Sequence, residues 1–189
     1  PKPYLPIYGE FYERRHFVPG PKDAFEITFA GQRTLFGTNL LFACRTMPEL
    51  VLAAELCEDV WVPCPPSISH ALAGATVIAN CSASDETTGK DQYRYNLICG
   101  QSARLVCGYI YANAGEGEST TDLVFGGHNI IAENGTILKE SNRYRNEIIY
   151  SEFDLERITG ERRKNTTFQT AQERSLIRVG FQIEKGETS

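Results

Sequence analysis

The chain has 189 residues, of which 41% are hydrophobic and 23% are charged, and its formal net charge is −5. This length and composition allow one soluble domain with a substantial hydrophobic core. The acidic balance argues against partners such as nucleic acid or an anionic membrane. No apolar run approaches the length needed to cross a bilayer.

The six cysteines contain no C-x-x-C pair, and three of them lie inside apolar, strand-like runs. This distribution favours reduced, mostly buried thiols in a cytoplasmic protein over a disulfide scaffold. The cysteines also lack the spacing of a zinc site, so we expect no metal.

The first half of the chain predicts strands alternating with helices. Residues 1–20 are irregular, because prolines at positions 1, 3 and 6 exclude a helix. Periodicity then predicts five strands, at Phe25–Phe29, Thr34–Gly37, Asn39–Ala43, Leu50–Leu56 and Thr76–Cys81. A helix capped by Ser67 is predicted over Ser67–Ala73, a second helix over residues 89–105, and a strand over Cys107–Asn113. The β-α-β-α-β order indicates an α/β layered sandwich.

The second half predicts antiparallel pieces. Short strands are expected at Leu123–Phe125, Asn129–Ala132, Thr136–Lys139 and Glu147–Phe153. The Asn134-Gly135 dipeptide predicts a tight hairpin. Asp154 is expected to cap a basic helix over Leu155–Lys164. The tail after Asn165 has no compact pattern.

Cys57 lies where the apolar run Leu50–Leu56 gives way to Glu58 and Asp59. A thiol at the end of a buried strand occupies the place where α/β enzymes hold a nucleophile, provided that its proton can be removed. An ordinary buried strand cysteine is the alternative. No histidine has a spacing that would bring it to Cys57.

Two further segments carry candidate side chains. In the first, Lys2 and Glu13 accompany a dense group of aromatic residues. Aromatic side chains at that density are expected to be buried and to carry Lys2 and Glu13 inward with them; a solvated arm is the alternative.

In the second segment, Ser84 and Lys90 follow a predicted strand, where they could contact a polar substrate or form a plain turn and helix cap. Phosphate-loop, G-x-S-x-G and dinucleotide motifs are absent.

The segments P-K-P-Y-L-P-I-Y-G-E-F-Y-E-R-R and E-L-C-E-D-V-W together resemble the nitrilase superfamily of carbon-nitrogen hydrolases. Within it, they look most like the glutaminase domains of glutamine-dependent NAD synthetases, over most of residues 1–155. The resemblance implies a nitrilase-like αββα four-layer sandwich. It also implies that residues 1–189 are part of a single such domain, truncated at the N-terminus and without the C-terminal synthetase domain.

The same resemblance implies a Glu-Lys-Cys triad. Its nucleophile matches Cys57, its lysine matches Lys2, and a supporting glutamate matches Glu13. The residues expected to contact glutamine are Tyr8, Glu58, Trp61, Ser84 and Lys90. Lys90 replaces a more common arginine, which keeps the charge but loses the bidentate fork. The general-base glutamate would precede Pro1, so we expect the chain alone to be inactive.

The activity implied is the glutaminase half of NAD synthesis, which releases ammonia from glutamine for ATP-dependent amidation of deamido-NAD. ATP, Mg and deamido-NAD are expected at the synthetase domain of the same full-length chain, with no cofactor in these residues. A cytoplasmic homo-oligomer is expected. The alternatives are a stand-alone nitrilase-type amidase and an inactive scaffold or oligomerisation segment.

Overall fold

The computed structural model describes residues 1–170 and 175–184. Its strands are β1 Phe25–Phe29, β2 Gln32–Phe36, β3 Leu40–Cys44, β4 Val51–Leu56, β5 Val77–Ser82, β6 Gly108–Asn113, β7 Ile130–Glu133, β8 Thr136–Glu140 and β9 Ile177–Phe181. Its α-helices are α1 Pro66–Leu72, α2 Lys90–Leu105, α3 Leu155–Lys164 and α4 Thr166–Thr170. Short 3-10 helices cover Glu13–Arg15 and Cys57–Val60.

Seven strands form one mixed sheet in the order β8-β7-β6-β5-β4-β3-β9, and β1 pairs with β2 in a separate hairpin. Strands β4, β5 and β6 are parallel because the crossovers between them contain α1 and α2. Leu56 is aligned with Cys81, and Cys81 with Ala112. The carboxyl ends of the three strands therefore meet at one edge of the sheet, immediately before Cys57.

Helices α1 and α2 cover one face of the sheet. Alternate strand residues on that face form the hydrophobic core with Ile98 of α2; they include Ala53, Ile78 and Tyr109, which are at most 2% exposed. The intervening positions, such as Ala54 and Cys81, face the other side and are exposed. The described residues thus form an α/β arrangement of one sheet with helices on one face, and the predicted α/β class is confirmed.

Helix α3 is tied to the amino ends of β5 and β6. Asp154 caps this helix as predicted, accepting a hydrogen bond from the Arg157 N–H at 2.8 Å. The buried Arg162 guanidinium donates to the carbonyls of Ala75 at 2.7 Å and Leu105 at 2.9 Å. Because those residues precede β5 and β6, Arg162 lies at the end of the sheet opposite Cys57.

The predicted strands and helices of the first half are confirmed with shifts of one or two residues at their ends. The Asn134-Gly135 hairpin is also confirmed, since both residues adopt positive φ values of 42° and 85°. The predicted cap of α1 is wrong. Pro65 precedes the helix without a side-chain cap, and the Ser67 hydroxyl instead accepts a hydrogen bond from Gln101 Nε2 at 2.9 Å.

Three other predictions for the second half are wrong. Leu123–Phe125 contributes only an isolated bridge between Asp85 and Phe125. Glu147–Phe153 is not a strand, because its apolar side chains find no sheet partner; Ile148 remains 79% exposed. The chain after Asn165 contains regular structure, since α4 follows directly and β9 pairs in parallel with β3.

The cysteines are less buried than expected. All six are free, yet only Cys44 and Cys107 are buried, whereas Cys64 and Cys81 are exposed. Cys64 lies in a proline-rich loop, and Cys81 lies on the sheet face that carries no helix. Within the described part of the chain, no helix is both long enough and apolar enough to span a membrane.

Candidate active site

The Cys57 turn joins β4 to a short 3-10 helix in a strained conformation. Cys57 has a φ of 49°, in the left-handed region that residues with a Cβ rarely adopt. Its N–H donates to Asn80 Oδ1 at 3.1 Å, which fixes the turn to the end of β5. The side chain is half-buried. A sharp strand-to-helix turn of this kind presents a nucleophile at the end of a sheet.

Asp59 joins the N-terminal segment to this turn. Its carboxylate accepts hydrogen bonds from the N–H of Leu56 at 2.9 Å and the N–H of Tyr4 at 3.4 Å. The side chain is 1% exposed. Burial raises the pKa of the Asp59 carboxyl to about 6, although the hydrogen bond from Leu56 and the Lys2 charge oppose this rise.

Glu58 and Tyr8 form a polar pair next to Cys57. The Tyr8 hydroxyl donates to the Glu58 carboxylate, with oxygen–oxygen distances of 2.7 and 2.8 Å. Although Tyr8 is 58% exposed as a whole, desolvation of its hydroxyl end and the bond to Glu58 raise its pKa well above the ordinary value, and the Cys57 charge adds to the effect. Both residues line a cleft of about 380 Å³.

Lys2 and Glu13 are brought together by the N-terminal segment. The Lys2 ammonium donates to both carboxylate oxygens of Glu13, at 2.6 and 2.8 Å. The Lys2 side chain is 11% exposed and that of Glu13 is 31% exposed. Among the described residues, Lys2 makes no hydrogen bond to Cys57, but its charge acts on Asp59 at the base of the Cys57 turn.

The expectation that the N-terminal aromatic residues are buried is wrong. Tyr4, Tyr12 and Phe17 are 39%, 43% and 65% exposed. The segment is instead held by polar contacts, including the bonds from Tyr4 to Asp59 and from Tyr8 to Glu58. Lys2 is therefore covered without the aromatic core that the sequence suggested.

Trp61 and Lys90 lie side by side at the same edge of the sheet. The Trp61 and Tyr93 rings stack with centroids 5.5 Å apart and planes 5° apart. Lys90 Nζ lies 5.6 Å from the Trp61 ring centroid and forms an ion pair with Asp85. The positive charge of Lys90 is thus held by Asp85 beside an aromatic surface.

Ser84 is only 3% exposed. Its N–H and carbonyl bind the side-chain amide of Asn113 at 2.8 and 2.9 Å. The Ser84 hydroxyl accepts from Arg94 Nη2 at 3.3 Å. Because the arginine supplies the donor in that contact, the contact does not use the hydroxyl proton of Ser84.

Asn80, Arg94 and Tyr111 lie in or near the site, but no motif in the sequence selects them. Asn80 holds the Cys57 turn, and the Tyr111 hydroxyl is buried. Burial raises the pKa of Tyr111, with a contribution from Cys57. Asn80 is aligned with Tyr111 in the neighbouring parallel strand, and this alignment was the signal that could have identified both residues.

Two of the three histidines are bonded to residues other than Cys57. His70 binds the Thr38 carbonyl at 3.1 Å, and His128 binds Arg94 at 2.8 Å, so neither is a partner of Cys57. Over residues 1–170 and 175–184, no three His, Cys, Asp or Glu side chains are grouped as metal ligands. A half-buried thiol next to the polar Tyr8–Glu58 pair suits nucleophilic attack on a polar carbonyl.

A model of the family described as carbon-nitrogen hydrolase matches residues 6–163. The chain belongs to the carbon-nitrogen hydrolase family. The matched range includes Tyr8, Cys57 and Ser84, whereas Lys2 lies outside it.

Curated relatives within this family are named glutamine-dependent NAD(+) synthetases. The protein of Mycobacterium tuberculosis is 48% identical over 170 residues, which is 89% of this chain and 25% of the relative. That of Mycobacterium leprae is 44% identical over 192 residues, or 97% of this chain and 28% of the relative. The chain therefore spans about a quarter of the length of these relatives.

Solved structures agree with the family assignment. A glutamine-dependent NAD(+) synthetase from Cytophaga hutchinsonii superposes with a TM-score of 0.63 at 29% identity, covering 75% of this chain and 22% of that one. A carbon-nitrogen hydrolase from Helicobacter pylori gives a TM-score of 0.65 at 21% identity, covering 89% and 56%. The latter supports the nitrilase-superfamily fold alone.

Proposed function

We propose that these residues form the glutaminase site of a glutamine-dependent NAD synthetase, with Cys57 as the nucleophile. The observation that carries this proposal is the strained Cys57 turn at the carboxyl end of β4, with the Tyr8–Glu58 pair beside it. The choice of glutamine and NAD synthesis rests on the relatives that are 44–48% identical.

In the proposed reaction, a base removes the Sγ proton of Cys57, and the thiolate attacks the side-chain amide carbon of glutamine. The carbon–nitrogen bond then breaks, and the nitrogen leaves as ammonia after accepting a proton. A γ-glutamyl thioester remains on Cys57. Water hydrolyses this thioester, releasing glutamate and restoring the thiol.

Lys2 and a main-chain N–H near Glu58 are assigned to stabilise the oxyanion that forms during attack. Such donors act where charge develops, in a site from which water is largely excluded. Glu13 supports this role because it holds the Lys2 ammonium through two hydrogen bonds. Lys2 makes no direct bond to Cys57, which is compatible with a donor that acts on bound substrate rather than on the thiol.

The remaining assigned residues bind glutamine. Glu58 and Tyr8 offer a carboxylate and a hydroxyl in the cleft that they line. The carboxylate suits the α-amino group of an amino acid, and Lys90 suits its α-carboxylate, provided that the Asp85 pair opens or is shared. Ser84 contributes its hydroxyl group, and Trp61 provides an aromatic wall.

The general base is not assigned to a residue of this chain. The Glu58 carboxylate is bonded to Tyr8, that of Glu13 to Lys2, and that of Asp59 to main-chain N–H groups. In the described residues, no carboxylate hydrogen-bonds the Cys57 thiol. The proposal therefore assigns no base among the described residues, and it places the synthetase step that uses ATP, Mg and deamido-NAD in the part of the relatives that this chain does not cover.

The decisive test is Cys57→Ala in the full-length protein. We expect this variant to lose glutamine-dependent NAD synthesis and to retain synthesis from free ammonia, because only ammonia release needs the thiol. Ammonia production and NAD production are measured side by side with each nitrogen donor.

Cys64→Ala is the matched control, since Cys64 is an exposed thiol in the same part of the chain. It should leave both activities unchanged. Use of glutamine by Cys57→Ala would show that Cys57 is not the nucleophile.

A further inference from the structure

Arg94 is a fully buried cation at the edge of the candidate site. It lies in the first turns of α2 and is 0% exposed. Charged side chains are almost never buried completely unless they are paired. Its burial is therefore explained by the contacts that its guanidinium makes.

The guanidinium of Arg94 binds three successive residues of the loop that follows β5. Nη1 donates to Glu86 Oε1 at 2.8 Å. Nη2 donates to Ser84 Oγ and to the Asp85 carbonyl, both at 3.3 Å. One rigid, planar group thus sets the conformation of the whole Ser84–Glu86 loop.

The same guanidinium connects this loop to the β7–β8 hairpin. Arg94 Nη1 lies 2.8 Å from His128 Nδ1. Because arginine can only donate, Nδ1 is the acceptor, and the ring proton lies on Nε2. His128 Nε2 then donates to Glu140 Oε1 at 2.6 Å. The network runs from Glu86 through Arg94 and a neutral His128 to Glu140.

We propose that Arg94 is a positioning residue for substrate binding: it fixes the Ser84–Glu86 loop and so places Ser84 and the Asp85–Lys90 pair. This inference rests on the proposed glutaminase function. Arg94 has no access to substrate, since it is completely buried. It acts through the hydroxyl of Ser84 and through the main chain of Asp85, whose side chain holds Lys90.

Stability alone gives a poor account of this network. Replacing a buried ion pair by apolar residues of similar volume is often neutral or stabilising. Arg94 Nε and Glu86 Oε2 are both buried without a partner in the described chain. A pair selected only for stability would be expected to satisfy these atoms, whereas a pair selected to hold a loop needs only the contacts that it makes.

Arg162 is a matched control for Arg94. It is also a buried arginine on a helix, but it donates to main-chain carbonyls at the opposite end of the sheet. Arg162→Lys should therefore lower the melting temperature without changing the KM for glutamine. Arg94→Lys, by contrast, retains the charge and loses the fork that binds Glu86 and Ser84.

The experiment compares wild type, Arg94→Lys, Arg162→Lys, Ser84→Ala and the Ser84→Ala/Arg94→Lys double variant in the full-length protein. KM and kcat for glutamine are measured together with the melting temperature. We expect Arg94→Lys to raise KM about tenfold with kcat changed by less than about threefold. The double variant should show a smaller KM increase than the product of the single effects, because both changes act on one contact.

An unchanged KM in Arg94→Lys, or effects that multiply in the double variant, would overturn the positioning role. Failure of the wild-type full-length protein to release ammonia from glutamine would instead overturn the glutaminase proposal, and this inference with it. Should Arg94→Lys fail to fold, Glu86→Gln interrupts the same network while keeping Arg94. It must then raise the KM for glutamine, and an unchanged KM would count against the proposal.

Discussion

The Lys2 ammonium is held in place by its partner, Glu13. The two hydrogen bonds to Glu13 restrict the ammonium to one position, and the side chain is largely covered. A fixed cation near an attacked carbonyl stabilises the developing oxyanion without reorganisation. The pair itself adds little to stability, because Glu13 is 31% exposed and solvent screens the attraction.

Lys2→Gln should therefore reduce kcat/KM for glutamine about a hundredfold or more, with little change in the melting temperature. Steady-state ammonia release measures the first quantity and thermal unfolding the second. Lys22→Gln provides the comparison, since Lys22 is an exposed lysine in the same segment. Wild-type activity in Lys2→Gln would refute the oxyanion role.

The raised pKa of Asp59 makes the free energy of unfolding depend on pH. Burial raises it from the ordinary value of 3.8 to about 6 in the folded protein. Between these values the folded state binds more protons than the unfolded state, so the free energy of unfolding falls as pH rises. This contribution is complete below pH 3.8 and is lost above about pH 6.

Comparison of wild type with Asp59→Asn isolates this effect from other titrating groups. Relative to the variant, wild type should lose up to about 3 kcal/mol of unfolding free energy between pH 4 and pH 7. Denaturant unfolding at both pH values gives the difference. Asp122→Asn, at an exposed position, should show no such change, and a wild type that gains stability relative to Asp59→Asn would contradict the raised pKa.

Among individual residues, the position of Cys57 could be predicted because the change from apolar to acidic residues marks the end of β4. Asn80 and Arg94 could not be selected, since their contacts depend on which strand lies beside β4 and on how the following loop folds. The aromatic N-terminal segment misled the prediction because aromatic density was taken as evidence of burial. Polar contacts to Glu58 and Asp59 hold that segment instead.

At the scale of elements, local signals were sufficient wherever they were strong. The Asn134-Gly135 turn, the Asp154 cap and the apolar strand β4 depend on neighbouring residues, and each occurs as predicted. The apolar residues in Glu147–Phe153 also indicated a strand, yet a strand needs a partner as well as a pattern. Strand β9 shows the reverse, because pairing with β3 compensates for a weak sequence pattern.

Two glycines, Gly135 in the β7–β8 hairpin and Gly100 in α2, test how backbone conformation affects stability. Gly135 has a φ of 85°, and an added Cβ would lie 3.0 Å from the Ala103 Cβ. Gly135→Ala should therefore cost about 1–2 kcal/mol of unfolding free energy. Gly100 lies in α2, where an added Cβ would meet nothing within 4 Å, so Gly100→Ala should stabilise by about 0.5–1 kcal/mol. Melting shifts of the same sign in both variants would contradict this account.

At the scale of the whole molecule, the sheet presents two unlike faces. Helices cover the face that carries Ile78 and Tyr109, whereas Ala54 and Cys81 are exposed on the other face. In the candidate site, the described residues supply a thiol, a lysine and polar side chains, but none of their carboxylates is bonded to the thiol. The order of elements predicted the α/β class; it could not reveal which groups around Cys57 would remain unpaired.

The activity of the isolated 189-residue chain tests whether these residues are sufficient for glutamine hydrolysis. Because no described carboxylate bonds the thiol, we expect the isolated chain to release ammonia from glutamine at least about a hundredfold more slowly than the full-length protein, since a general base contributes about 10²–10⁴-fold. Ammonia release is measured at equal molar concentrations, with circular dichroism to establish that the isolated chain is folded. A folded chain with the full rate would place the base within residues 1–189, and the paired carboxylates Glu13, Glu58 and Asp59 would then be tested by substitution.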